Sequence, residues 1–314
     1  MQVQNTIPKY EENLFLERKL WNDYFSSGLL VISQKCSNCN KYIEVMEHNS
    51  SINPYLGRCT NPNCRKIIYL RQKTIFELNS KTPLTLTRYI VELSLVHLKN
   101  ANEIYESFRK SEQPYNISKQ HILEILLNMR KIISKYYEDI YKLEEIALEN
   151  GNDYLSIDES LFVHTGDISK CVVGIINNRS REIRLEIVDN RTTETMKNII
   201  NRYIPRGNII VTDDFSSYRW LDDPSSGYVH SVHNHGHGNF GSGLDSTSHI
   251  EALWSNLKSL IKTVYTVIPK ENFSLFLREA EFRRNFKKFN NNNIMKEYDE
   301  IAKYVNDVYG GKIN

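Results

Sequence analysis

The sequence predicts an α/β chain in three parts: a small cysteine-organised segment, a helical segment, and a longer mixed domain. Three observations carry this prediction. Four of the five cysteines fall between Cys36 and Cys64. Residues 79–150 repeat apolar side chains at helical spacing. From residue 151 onward, short alternating or β-branched runs are interrupted by helical ones.

Composition narrows the class. Hydrophobic content of 40% and charged content of 25% are ordinary for a globular chain, and no apolar run is long enough to span a membrane. The N-terminus lacks a basic stretch followed by an apolar one, so export is not expected. The expected location is the cytoplasm or nucleoid, or the nucleus in a nucleated cell. A net charge of +2 neither demands nor excludes nucleic acid, because local clustering decides phosphate binding. Two basic clusters exist: Arg58, Arg65, Lys66, Arg71 and Lys73, and later Arg278, Arg283, Arg284, Lys287 and Lys288. A solvated charged face explains them as well as DNA does.

Residues 1–30 hold Leu14, Phe15, Leu20, Trp21 and Phe25 at roughly helical spacing, which predicts one amphipathic helix. Residues 31–78 contain Cys36-Ser37-Asn38-Cys39 and Cys59-Thr60-Asn61-Pro62-Asn63-Cys64. Each pair can form a tight knuckle presenting two thiolates, and two knuckles complete a tetrahedron. A zinc ribbon with a structural Zn²⁺ on Cys36, Cys39, Cys59 and Cys64 is expected, with reduced structural cysteines as the bland alternative. Cys171, in an apolar strand-like run, reads as an inert buried thiol.

Residues 79–150 predict a helix from Thr85, a short one at 101–109, and a third opened by Ser118 as N-cap and running as far as Leu148. A DNA-binding helix–turn–helix fits this spacing, as does a plain helical linker. Residues 151–290 predict strands at 154–163, 171–177 and 182–189, a helix at 193–204, strands at 208–213 and 227–233, and a helix at 248–265. That is the order of a ribonuclease-H-like domain. A basic helix at 273–289 follows, and residues 291–314 read as a polar tail.

Asp158 sits in the apolar strand Tyr154–Val163, where an ionised side chain needs a counter-charge or a metal. Asp213 ends a second strand and Glu251 opens a helix. Carboxylates on separate elements can hold two divalent ions for in-line phosphodiester displacement. Spacing alone does not choose this triple from 38 acidic residues. Glu159, the next residue along the strand, should point to the opposite face.

A set of motifs adds to this. In order they are Ile157-Asp158-Glu159-Ser160, Asp189-Asn190-Arg191-Thr192-Thr193-Glu194-Thr195, Pro205-Arg206-Gly207, Thr212-Asp213 with Tyr218, Gly227-Tyr228 with His230, Asn234-His235, and Ile250-Glu251-Ala252-Leu253-Trp254-Ser255-Asn256-Leu257-Lys258. Over roughly residues 150–290 the chain resembles the DDE transposases of the Merlin superfamily and their bacterial ISXO-like insertion-sequence relatives. That resemblance implies a transposase that binds terminal inverted repeats, cuts DNA and transfers strands. Asp158, Asp213 and Glu251 would carry catalytic Mg²⁺ (or Mn²⁺), and Lys258 would contact DNA phosphate. His235 would stand against substrate or behind the ligands. The partners implied are terminal-repeat and target DNA and a second copy of the chain, with no membrane. Members often carry His-Thr-Asn-Thr before the Ile-Glu pair; this chain has Ser246-Thr247-Ser248-His249. The competing readings are a domesticated, non-cutting DNA-binding protein and an unrelated metal nuclease. His233-Asn234-His235 alone would suggest an HNH nuclease, but a tripeptide recurs by chance.

Overall fold

The computed structural model describes residues 10–30, 35–111, 116–141, 145–146, 153–163, 169–233, 243–265, 268–289, 294–310 and 312–313. The chain divides into two compact units, one of residues 1–136 with 295–314, the other of residues 137–294.

In the first unit, α1 (Tyr10–Ser27) precedes a three-stranded antiparallel sheet of β1 (Ile43–Glu47), β2 (Tyr55–Cys59) and β3 (Ile67–Tyr69). Helices α2 (Leu84–Leu95), α3 (Ala101–Arg109) and α4 (Lys119–Asp139) follow. Trp21 of α1, Ile90 of α2, Ile104 of α3 and Ile122 of α4 are all fully buried, as the apolar stripe of each helix requires. Local capping explains two helix starts. Asn100 and Glu103 form a capping box on α3, and the Ser118 hydroxyl accepts the His121 N–H at 3.1 Å on α4.

Helix α2 begins after Pro83 and has no cap of its own. Glu17 of α1 supplies one. Its fully buried carboxylate accepts the N–H groups of Leu84 (2.6 Å) and Thr85 (2.9 Å), the Thr85 hydroxyl (2.7 Å) and the Trp21 indole N–H (2.9 Å). The negative charge also suits the helix N-terminus. Glu17→Ala leaves those buried donors without an acceptor and should destabilise this unit by about 3 kcal/mol in a denaturant titration.

Arg71, one of the first basic cluster, is internal. Its guanidinium donates to the carbonyls of Phe76 (3.1 Å), Thr82 (2.7 Å) and Asn79 (2.5 Å).

The second unit is a five-stranded sheet in the order β6-β5-β4-β7-β8. The strands are β4 (Tyr154–Val163), β5 (Ser169–Asn177), β6 (Ile183–Val188), β7 (Ile209–Thr212) and β8 (Val229–Val232). β4, β5 and β6 are antiparallel neighbours, while β7 and β8 run parallel to β4. Helix α5 (Thr193–Tyr203) lies between β6 and β7 in the chain, and α6 (Ser248–Leu260) and α7 (Phe273–Phe289) follow β8. This order and direction define the ribonuclease-H-like fold that the sequence predicted. One core joins Leu155, Ile157, Val173 and Ile175 to α5. The other joins Phe162, Val172, Ile176 and Leu185 to α6 and α7. The alternation of side chains along β4 and β5 therefore sorts them between two helical layers.

The edge of β6 is closed by side chains instead of a sixth strand. Asn285 accepts the Ile183 N–H (2.8 Å) and donates to its carbonyl (3.1 Å), Glu281 accepts the Leu185 N–H (3.3 Å), and Arg278 donates to the Leu185 carbonyl (2.8 Å). Arg283 is buried against Glu279. Two members of the second basic cluster thus serve the fold. The side chains of Lys287 and Lys288 lie outside the described residues.

Three elements differ from the sequence reading. Helix α4 stops at Asp139 and does not run to Leu148, because Tyr141 packs its ring against Tyr137 (4.4 Å) and beneath Arg184 (3.8 Å) while its hydroxyl donates to Glu182 (3.0 Å). Helix α6 gives way at Ile261 to one wide π-type turn through Tyr265. In place of a tail, residues Ile294–Tyr309 form α8, whose Ile301, Ala302 and Val305 are buried. Its Lys, Glu and Asp residues make the segment read as polar, although the exposed Lys296, Glu300, Lys303 and Asp307 line the solvent side of an amphipathic helix and Asp299 is paired inward with Arg88 of α2. Among the described residues no helix is long and apolar enough to cross a membrane.

Candidate metal and carboxylate sites

The four-cysteine site is built by two knuckles that repeat one backbone plan. The Cys36 N–H donates to the Lys41 carbonyl (2.7 Å), and Asn40 takes a positive φ of 58°. The Cys59 N–H donates to the Lys66 carbonyl (3.0 Å), and Arg65 takes a φ of 47°. Each turn aims one N–H at sulfur: Asn38 N–H at Cys36 Sγ and Asn61 N–H at Cys59 Sγ, both at 3.4 Å. The four sulfurs lie within 4.8 Å of one another, as four ligands of one tetrahedral ion require. Hydrogen bonds from the Asn38 side chain and the Lys66 backbone hold the Cys64 thiol down at about 6, whereas burial pushes the Cys59 thiol up to about 12. The donor set fits zinc, and with all four positions filled the ion would be structural.

The acidic residues lie in the second unit. On β4, Ser156, Asp158 and Ser160 pair with Ile176, Gly174 and Val172 and so face the α6 layer. The parallel register of β4 with β7 pairs Ser156 with Val211. Continued two residues, that register sets Asp158 level with Asp213 on the same face. Glu251 lies in the first turn of α6. Burial raises the Asp158 pKa most. The Trp254 indole N–H lowers it, and the charges of Asp213 and Glu251 raise it again. The structure thus brings the three predicted carboxylates into one electrostatic neighbourhood. They do not converge as the sulfurs do: among the described residues, the cysteines alone bring three or more such ligand atoms within 4.8 Å.

Each carboxylate has a partner that fixes it. Trp254 Nε1 donates to Asp158 Oδ2 at 2.8 Å. The Phe215 N–H donates to Asp213 Oδ1 at 3.1 Å. The Thr247 hydroxyl donates to Glu251 Oε1 at 3.1 Å. The loop before α6 is tied to the sheet: Asn178 Nδ2 donates to the Leu244 (2.6 Å) and Ser246 (3.1 Å) carbonyls, and Ser156 Oγ donates to the latter at 3.0 Å. Where relatives carry Asn, Ser248 bonds to Ser246 through both its N–H (3.1 Å) and its hydroxyl (2.9 Å).

Gly174 makes the Trp254 contact possible. A Cβ there would lie 2.6 Å from Trp254 Cη2 and 2.8 Å from Cζ2. Gly174→Ala should therefore push the indole off Asp158, costing about 1–3 kcal/mol by overpacking and shifting the tryptophan fluorescence.

Glu159 faces the α5 layer, as strand alternation predicted, and accepts the Tyr218 hydroxyl at 2.9 Å. Asp214 is exposed. Lys258 is exposed on α6 with its Nζ 5.8 Å above the Phe162 ring, two residues along the same face from Ser160. His235 lies outside the described residues. His233 is buried, with Nε2 bonded to Asp245 (2.8 Å) and facing the Ser231 hydroxyl (3.2 Å). It sits at the end of a parallel strand, not in the ββα setting an HNH centre needs. Around the start of α6, burial and then the Arg284 charge lower the Arg181 pKa, and burial followed by the charges of Arg181 and Arg284 lowers that of His249.

The sequence carries no signal for the role of Trp254: its apolar neighbours suit helix core, which it is, and nothing in the sequence shows where an indole N–H points. Gly174 had no signal at all, since its partner is distant in the chain.

The second unit is thus a ribonuclease-H-like sheet with three acidic residues in one electrostatic neighbourhood. Residues 163–285, which include Asp213 and Glu251, match the ISXO2-like transposase domain. An uncharacterised transposase-like protein of Haemophilus influenzae is 29% identical over 122 residues, covering 38% of this chain and 89% of that protein. This part of the chain is therefore similar to the ISXO-like transposases. Two structures of the HTLV-2 integrase catalytic core domain in complex with magnesium, a dimeric and a trimeric form, are also similar to it. They are 13% and 15% identical, cover 41% and 45% of this chain and 82% and 89% of theirs, and superpose with TM-scores of 0.28 and 0.30.

Proposed function

We propose that the chain is a DDE transposase that binds the terminal inverted repeats of its element, cuts at their ends and joins the freed 3′-hydroxyl to target DNA. The observation that supports this reading is that the charges of Asp213 and Glu251 both act on Asp158, in a β4–β7 register that, continued one residue past β7, sets Asp213 level with it. Asp158, Asp213 and Glu251 are the residues that would hold Mg²⁺ or Mn²⁺. Bound there, divalent ions would activate the attacking hydroxyl or water and neutralise charge on the phosphate.

The chain's own contribution is placement. Trp254 orients one oxygen of Asp158, and the Phe215 N–H and Thr247 hydroxyl do the same for Asp213 and Glu251. Lys258, Arg181 and Arg284 offer positive charge to DNA phosphate near α6. The zinc ribbon and helices α2–α4 supply the DNA-binding part, with the exposed Lys119 and Gln120 in the first turn of α4 suited to a groove. Two element ends must be held together, so a dimer or larger assembly on DNA is expected.

The test is a strand-joining assay. Pre-cut duplexes made from the DNA flanking the gene are incubated with the chain and Mg²⁺ or Mn²⁺. Joined products that vanish with Asp158→Ala support the reading. Products that persist unchanged in Asp158→Ala refute it.

A further inference from the structure

His230 has no part in the chemistry above, yet its side chain is only 4% exposed and bonded at both ring nitrogens. Nδ1 meets Asp222 Oδ1 at 2.7 Å, and Nε2 meets the Thr212 hydroxyl at 2.9 Å. The register explains the second contact. Ile210 pairs with His230, so Thr212, two residues on, lies diagonally beside it on the same face. The Thr212 hydroxyl in turn donates to the carbonyl of Asp213 at 2.7 Å. Having given its one proton to that carbonyl, the hydroxyl can only accept from His230 Nε2. The His233 N–H donates to the Thr212 carbonyl at 3.0 Å, so the peptide units on both sides of Asp213 are held from β8. The charge of Asp213 itself acts on Asp158.

We propose that His230, oriented by Asp222 and acting through Thr212, is a positioning residue that holds the Asp213 backbone so that its carboxylate meets Asp158. This rests on the metal-binding reading of Asp213. A purely structural alternative has His230 only pinning Asp222, the last residue of the short 3-10 helix Ser216–Asp222.

The experiment compares the full chain with His230→Ala, His230→Gln, Thr212→Val and the His230→Ala/Thr212→Val double variant. Three readouts are taken: hydrogen exchange of segment 213–217 without metal, Mn²⁺ binding by electron paramagnetic resonance, and thermal midpoint. His230→Ala should speed exchange in 213–217 and weaken Mn²⁺ binding roughly tenfold, the size expected for a group behind a metal ligand. Thr212→Val should match it, and the double variant should lose no more than either single one. His230→Gln, which keeps an N–H near the Nε2 position, should recover most of the loss. If His230→Ala lowers the thermal midpoint but leaves exchange and Mn²⁺ binding at parental values, the relay is wrong and the structural alternative holds. Failure of the metal reading looks different: Mn²⁺ binding then survives Asp158→Ala, and metal-free exchange still decides whether His230 holds Asp213.

Discussion

Asp158→Asn should abolish metal-dependent DNA cleavage while making the metal-free protein more stable at neutral pH. The loss of rate should exceed about a hundredfold, because even groups that only support a metal ligand are worth roughly 10–100-fold. The gain in stability follows from the pKa. Burial raises the Asp158 pKa in the folded chain, and Asp213 and Glu251 add to the rise; the Trp254 hydrogen bond opposes it without cancelling it. A carboxyl whose folded pKa lies above its unfolded value of ~3.9 contributes stability below that value and loses it as pH climbs through the folded one. At pH 7 in chelator the parent therefore carries a desolvated, repelled charge. Asparagine removes that charge and keeps an oxygen for the indole N–H. The two thermal midpoints should converge below about pH 4, where the parent is protonated. Added Mg²⁺ or Mn²⁺ should then stabilise the parent and not the variant, since only a state that binds the ion gains by mass action. A variant less stable than the parent at pH 7 in chelator, or one equally stabilised by the ions, would count against the site.

Much of this site was legible in the sequence, for a physical reason. Strand and helix periodicity places Asp158 mid-strand, Asp213 at a strand end and Glu251 in a first helical turn, and alternation sends Glu159 to the other face. Each of those statements uses local spacing only. The partners that hold the carboxylates are not local. Trp254 reaches Asp158 over Gly174 of a third element, and Asn178 ties down the loop that precedes Glu251. Tyr218, His230 and Trp254 stood out as motif positions, but their bonds depend on strand register, which a single sequence does not fix. Basic residues misled in the same way. Arg71, Arg278 and Arg283 read as surface charge, yet they bond internal carbonyls and carboxylates, because a long side chain carries its charge several ångströms from where the backbone pattern places it. The segment of α8 reads as a tail for a different reason: its charges outweigh its apolar residues on average, and only the helical phase separates the buried stripe of Ile301, Ala302 and Val305 from them.

Removing zinc should unfold the ribbon and leave the β4–β8 sheet protected. The ribbon has almost no apolar core to survive on. No residue of β1 or β3 is buried, and in β2 the buried positions are Gly57 and Cys59. A three-stranded sheet this small cannot offset its own chain entropy by burial. Structural zinc supplies about 10–16 kcal/mol in small ribbons and fingers, far more than those contacts provide. The knuckles also need an ion to reconcile their charges, since four sulfurs within 4.8 Å cannot all ionise without one. Chelation at neutral pH, or Cys59→Ser, should therefore strip one zinc per chain by elemental analysis and bring amide exchange across residues 43–69 to unprotected rates. Exchange in β4, β5 and β7 should stay slow. Acidification should release the zinc as well, because protons compete for the thiolates, and burial makes Cys59 the most readily reprotonated. If the ribbon amides remain protected after the metal is gone, the four cysteines are a packing cluster and the zinc assignment falls. If β4–β8 opens together with the ribbon, the two units are not independent folding units, and the zinc would then stabilise the whole chain, including the sheet that carries Asp158 and Asp213.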